Sequence, residues 1–395
     1  MKTYQSDASG GVNKINLISK ICLFIFVVLT IQFIYFGIST SVQGVYEGDS
    51  IIFHIPIAQE ISKLNFLPAN LSLGLGYIPA TAEAILSLFI LLHLPLNLFN
   101  VLAFVLLFTV SKKVAESFGV TKEMSTIYAV SIATLQSVLR WPLTQSADIW
   151  VAVFFLATLY FLVNPKPTNK HYLLLGLFSG MLVGSKFSGL PFLAILLIFF
   201  GKSAFQKINI AKILLFLIPL FVFGFSWYIR NYILTGNPVY PVGIFSISGS
   251  PDYANLGSSN WSIAANIINN PAYILKVINA LLSEFFIWVL VLTLPVYLLI
   301  KKNRDKVLGK LSIIGILIFI IFIFTFPAES IVSNMRHIYP LMAILVLQAF
   351  IFFEKRKLQM AAFSLLATIF PLMNLDYHPK ILMLAFIPAF YFIFK

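Results

Sequence analysis

The stretch GVYEGDSIIFHIPIAQEISK, residues 44–63, interrupts a largely apolar chain, and how it is read decides the topology of everything after it. It holds Asp49 and His54, the first concentration of chemistry-bearing side chains. Over 50–64, Ile57, Ile61 and Leu64 recur at helical spacing, while Gln59, Glu60 and Lys63 fall on another side. The spacing predicts a helix lying along a membrane surface, with Pro56 kinking it or marking a later start. Before it, 17–36 is an apolar run of about 20 residues, enough to cross a ~30 Å hydrocarbon core. Lys2, Lys14 and Lys20 lie ahead of the end of that run, and no small-residue cleavage site stands out. It therefore reads as a retained first span with a cytoplasmic N-terminus, not a signal peptide. After the stretch, 79–92 carries Glu83 near its start and ends at HLPLN. At about 14 residues it is short for a crossing and reads as a second surface helix, so that 37–96 forms a first outer loop.

Composition points to the same class. Of 395 residues, 59% are hydrophobic and 10% charged, with 40 Phe and a mean hydropathy of +0.94. Soluble domains carry about 25% charged residues. The expected fold class is all-α, a polytopic transmembrane helical protein forming a single membrane domain over 1–395. Spans are expected at 17–36, 97–111, 124–140, 148–163, 172–186, 188–201, 212–230, 281–300, 311–326, 338–353, 358–373 and 381–394, about 12 in all. Alternating them places 20 of the 27 Lys and Arg inside. Lys63, Arg140, Lys186, Arg230, Lys276, Arg336 and Lys380 are left outside as singletons, as the positive-inside rule predicts. Counting 79–92 as a span would invert every later loop. The formal charge of +13 thus reports topology rather than a nucleic-acid partner. The single cysteine, Cys22, excludes an intramolecular disulfide framework and a thiolate metal cage. A long outer loop, 231–280, contains TGNPVYP, in which Asn237 and Pro238 set a turn. Trp227, Tyr232 and Tyr240 are expected as interfacial anchors around it. Both termini are expected in the cytoplasm, with a bacterial inner membrane as the location.

Charges inside a bilayer cost about 2.5–3.5 kcal/mol or more each, and pumps and ion-coupled carriers keep them there for function. Here Gln32 and Gln348 are the main polar mid-span residues, while Asp148, Lys186, Arg230, Glu284 and Arg336 fall at predicted outer ends. Chemistry is therefore expected at the outer interface. The acids Glu47, Asp49, Glu83 and Asp148 share that side with Arg140, Lys186, Arg230 and Arg336. A carboxylate can act as general base on a hydroxyl, and Arg or Lys can hold a phosphate leaving group. Base plus phosphate clamp suits glycosyl transfer from a lipid-linked sugar phosphate, because a polyprenyl tail can present that donor in the outer leaflet. Each residue has an alternative reading. Asp49 and Asp148 can cap helices, Glu83 can complement a helix dipole or anchor at the interface, and Glu47 can be a solvated charge. Lys186, Arg230 and Arg336 can snorkel to headgroups. His54 can bind phosphate, orient an acceptor or be structural; no second His stands at metal-ligand spacing, so no metal and no cofactor is expected. Asn70-Leu71-Ser72 and Asn260-Trp261-Ser262 match the N-glycosylation triplet.

The string GDSIIFHIPIAQEI resembles the first outer loop of GT-C-type integral membrane glycosyltransferases, with Phe53 where a YHxPxA-like string has Tyr. YIPATAEAIL, SADIWVAVFFLATLY, GSKFSGLPFL, WYIRNYILTGNPVYP and RHIYPLM continue the pattern in order. The whole is similar to the polyprenyl-phosphate-sugar-dependent family of protein O-mannosyltransferases and the lipid A aminoarabinose transferase. The resemblance implies a polyprenyl-phosphate sugar donor, inversion at the anomeric carbon, Asp49 as catalytic acid residue, Asp148 as the second outer acid, and Arg230 and Arg336 at outer basic positions. Ending near the twelfth span, the chain departs from larger members with a C-terminal soluble domain, so a lipid or saccharide acceptor is expected over a protein. A transporter or flippase of lipid-linked saccharides, a polymerase and a noncatalytic scaffold are the rival readings.

Overall fold

The computed structural model describes residues 5–373 apart from 46, 164–167, 207–208, 244–246, 252–261, 302–304, 327 and 329, with side chains within 11–372. The expected last span, 381–394, and Asn260 and Trp261 of the second glycosylation triplet lie outside the described residues.

Every described element is a helix, as a chain must build where no water satisfies backbone N–H and C=O groups. α1 is Gln5–Ser39, and the first loop carries α2 (Ile55–Ser62) and α3 (Thr81–Leu91). There follow α4 (Leu96–Ser117), α5 (Lys122–Ala133), α6 (Gln136–Leu139), α7 (Asp148–Val163) and α8 (Asn169–Ser185). α9 is Gly189–Ala204, α10 Ile210–Thr235, α11 Ile263–Asn269, α12 Tyr273–Ile300, α13 Lys306–Thr325, α14 Ile331–Phe352 and α15 Lys357–Met373. Among the described residues, six helices, α1, α4, α10, α12, α13 and α14, are long and apolar enough to cross a membrane, and α3, α7 and α9 are shorter apolar helices. The chain is an integral membrane protein. One expected span changes shape: 124–140 breaks after Ala133. The Thr134 hydroxyl turns back on the Val130 carbonyl at 2.8 Å, Leu135 leaves helical backbone at ψ 135°, and only the single turn α6 forms before an irregular segment leads to α7.

α7 and α14 lie at the centre. In α14, 78% of the most apolar window is buried, against 22% in α1; a helix apolar on all sides belongs inside. The Tyr128 hydroxyl of α5 donates to the Ala343 carbonyl of α14 at 2.9 Å. Gln348 ties α14 to α13, its amide nitrogen donating to the Leu308 carbonyl at 3.0 Å and to the Ser312 hydroxyl. Gln32 faces outward instead.

α8 and α10 touch through backbone. Gly176, Gly180 and Gly184 form a stripe of four-residue spacing, and a Cβ at each would run into the carbonyls of Phe216, Pro219 and Phe223 respectively. Thr81, at the head of α3, is held in the same seam, donating to the Phe223 carbonyl at 2.6 Å and accepting from Trp227 Nε1 at 2.8 Å. Trp227 is therefore buried, not an interfacial anchor.

In the first loop, Ser50–His54 makes a π-helical turn that runs into α2, with Pro56 in its first turn, so Pro56 marks the later start. Ile57 and Ile61 are buried as the spacing predicts. Leu64 is not: α2 ends at Ser62, and Leu64 turns out to solvent or lipid with φ 61°.

Candidate active site

Helix ends converge at the end of the bundle where α1 finishes. Asp148 opens α7, Lys186 follows α8, Arg336 and His337 sit in the 3-10 turn Met335–Ile338 of α14, and Asp49 precedes the π-helical turn. Because α7 and α14 are interior helices, their terminal charges are largely shielded from solvent, with Asp148 2% and Arg336 10% exposed, and are matched in place. Asp148 Oδ1 accepts from Lys186 Nζ at 2.5 Å and lies 2.9 Å from His337 Nδ1, while Oδ2 faces Arg336 Nε at 3.3 Å. Arg336 reaches the other way through Nη2, which donates to Asp49 Oδ2. The guanidinium carbon sits 4.6 Å from the centre of the Trp141 ring, whose face favours the cation. A continuous row results, Asp49, Arg336, Asp148, Lys186. Asp49 is its most exposed member, at 36%, with Lys186 at 23% and Asp148 between them at 2%.

His337 sits against both Asp148 and Lys186. Its Nδ1 is also 3.2 Å from Lys186 Nζ, and an ammonium only donates, so the nitrogen donates to Asp148 or accepts from Lys186 but not both. Phe326 stacks on the imidazole at 4.3 Å. Arg336 keeps two buried donors, Nε and Nη1, that make no hydrogen bond within the protein. An unmade bond of this kind costs about 1–3 kcal/mol; Nε faces Asp148 Oδ2, which leaves Nη1 as the donor that can reach a phosphate oxygen.

The first loop is built to leave Asp49 available. Glu47, not Asp49, caps the turn: it accepts from Asp49 N at 3.0 Å, Ser50 N at 2.6 Å and the Ser50 hydroxyl. Glu47 is thus a capping group, not a solvated charge. The Ser50 hydroxyl in turn accepts from Gln145 N at 3.0 Å, stitching the loop to the segment ahead of α7. His54 Nδ1 lies 2.6 Å from Glu83 Oε1, with both side chains buried, at 3% and 1% exposure. Glu83 therefore faces inward rather than anchoring at the interface, and the pair pins the start of α2 to α3.

Of the other expected phosphate-binding residues, Lys186 and Arg336 join Asp49 and Asp148, whereas Arg230 does not. Its guanidinium donates to Asn231 Oδ1 at 2.9 Å and to the carbonyls of Phe66, Gly76 and Ile78 at 3.4–3.5 Å, and it stacks on Trp227 at 5.0 Å. It braces the segment between α2 and α3. Arg140 pairs with Glu284 of α12 at 3.0 Å, with Glu284 2% exposed. The sequence reading missed His337, Trp141 and the Glu284 pairing. The one available signal was position, since His337 and Trp141 each adjoin a singleton cation. Among the described residues, no three His, Cys, Asp or Glu side chains converge in a group that could hold a metal ion.

A family model described as a domain of unknown function, DUF8201, matches residues 2–353. No curated protein matches the sequence. Among solved structures, the crystal structure of ArnT from Cupriavidus metallidurans bound to undecaprenyl phosphate is similar, with a TM-score of 0.56 and 13% identity over 84% of this chain and 60% of that one. The oligosaccharyltransferase of Archaeoglobus fulgidus, crystallised with zinc and sulfate, gives a TM-score of 0.49 and 16% identity over 88% and 52% of the two chains. This chain thus spans about 60% and 52% of the lengths of the two solved structures. The likeness to ArnT shows a GT-C-like fold.

Proposed function

The chain belongs to the DUF8201 family, and we propose that it is a glycosyltransferase that moves a sugar from a polyprenyl-phosphate donor to a lipid or saccharide acceptor on the extracytoplasmic side. The observation that carries this reading is the row itself. Asp49, a partly exposed acid, is joined to Arg336, and Arg336 holds buried donors without hydrogen-bond partners. The fold it shares with an undecaprenyl-phosphate-bound structure supports a lipid phosphate as the anion.

In the proposed reaction the donor phosphate takes its place against Arg336 and Lys186. Asp49, released from Arg336 by that competition, accepts the proton of the acceptor hydroxyl. The hydroxyl oxygen forms its bond to the anomeric carbon from the face opposite the phosphate, the bond from that carbon to the phosphate oxygen breaks, and the electron pair leaves with the polyprenyl phosphate. Inversion follows. Asp148 acts as the fixed counter-charge that keeps Arg336, Lys186 and His337 in place.

Replacing Asp49 by Asn tests this. With protein levels matched by immunoblot, mass spectrometry of polyprenyl-phosphate sugars and surface glycans is expected to show the donor accumulating and one glycan reduced about 10²-fold or more, the scale of a lost general base. Unchanged glycans would refute the assignment.

A further inference from the structure

Fourteen buried side-chain nitrogens or oxygens make no hydrogen bond within the protein among the described residues, and seven of them collect in one place. Asp148 Oδ2 and Arg336 Nε and Nη1 belong to the row. The other four, Gln136 Oε1, Ser137 Oγ, Gln145 Oε1 and Asn100 Oδ1, lie in or directly beneath the segment that joins α5 to α7. Asn100 donates upward into that segment, to the carbonyls of Trp141 and Ser146 at 3.3 and 2.9 Å. Gln145 donates to the Leu96 carbonyl at 3.0 Å. In both amides the nitrogen is fixed by a carbonyl, so the free end is the oxygen. Native interiors leave few such groups, and the four outside the row have no ion-pair partner within the protein either. The segment adjoins the row directly: the Trp141 ring carries Arg336, the Ser137 carbonyl accepts from the Tyr339 hydroxyl, and Gln145 N donates to Ser50 beside Asp49.

The free atoms are three amide oxygens, which accept, and one hydroxyl, which accepts or donates, so what completes them must be rich in donors. Arg140, the cation on this segment, is already matched by the buried Glu284 and offers no unpaired charge for a carboxylate. We infer that the 136–146 segment holds the transferred sugar through its hydroxyl groups and selects an uncharged, hydroxyl-rich sugar over a uronic acid. This rests on the proposed transferase reading and adds the substrate class.

The test uses the full chain in nanodiscs with three synthetic probes: undecaprenyl phosphate, its neutral hexosyl ester and the matching uronosyl ester. The neutral hexosyl lipid is expected to bind about tenfold tighter than bare undecaprenyl phosphate, a factor that one or two net hydrogen bonds supply, and the uronosyl lipid no tighter. Ser137→Ala and Gln136→Leu remove groups with no partner in the protein, so folding tolerates them, with melting temperatures unchanged or raised. In both variants the tenfold advantage should fall to within about twofold while bare undecaprenyl phosphate binds as before. If the neutral sugar gives no advantage, if the advantage survives both substitutions, or if the uronosyl lipid shares it, the inference fails and the free atoms hold ordered water only. Failure of the wild type to bind undecaprenyl phosphate at all overturns the transferase reading itself, and is a separate result.

Discussion

Asp148 has two oxygens and three basic neighbours, and that ratio defines its part. Replacing it by Asn leaves Lys186 and Arg336 without their shared counter-charge in a buried place, which costs about 3–5 kcal/mol when a buried pair loses one member. Thermal unfolding of Asp148→Asn in detergent is expected to show a clearly lowered midpoint, whereas Asp49→Asn, at the exposed end, should unfold close to wild type. Arg336→Lys keeps the charge but loses the planar group that stacks on Trp141 and reaches Asp49 and Asp148 at once. Undecaprenyl phosphate should bind it roughly tenfold more weakly, about 1.4 kcal/mol, read from the ligand-induced shift in melting temperature. At this scale much of the site could be read from sequence, because in a chain with 10% charged residues each charge at a helix end is informative. Arg230 misleads for the same reason. A cation at a helix end can be satisfied by loop carbonyls 150 or more residues away, and no spacing in the chain announces that.

The helices were legible where composition is uniform and illegible where the backbone breaks within an apolar run. Asp148–Val163 falls where the apolar run predicts, since its residues are buried on nearly every side. The expected 124–140 span breaks where Leu135 leaves helical backbone, and the segment that follows packs against the row. The glycine stripe of α8 went unread, though its spacing of four was visible; what it abuts is set by α10, which the stripe does not encode. Gly184→Val is expected to drive α8 from Phe223 and Thr81 and to abolish a monodisperse peak in size-exclusion chromatography. Gly309→Ala in α13, where an added Cβ meets nothing within 4 Å, should instead stabilise by about 0.5–1 kcal/mol.

For the molecule as a whole, the proposed placement of the row outside the membrane follows from counting basic loops, and it can be checked without knowing the substrate. Cys22 is fully buried and should resist maleimide, leaving a silent background. Lys63→Cys should react with an impermeant maleimide in intact cells, and Glu354→Cys only after permeabilisation; the opposite pattern would invert the topology. Asp49 and Arg336 stand 287 positions apart. Ribosomes add about 5–20 residues per second, so the acid waits roughly 15–60 s for its partner to be made. Asp148 and Lys186 meet when the chain is half synthesised, and the pair can settle early. The row is completed only by nearly the last transmembrane helix described, so a prematurely terminated chain carries the acid with nothing to hold it.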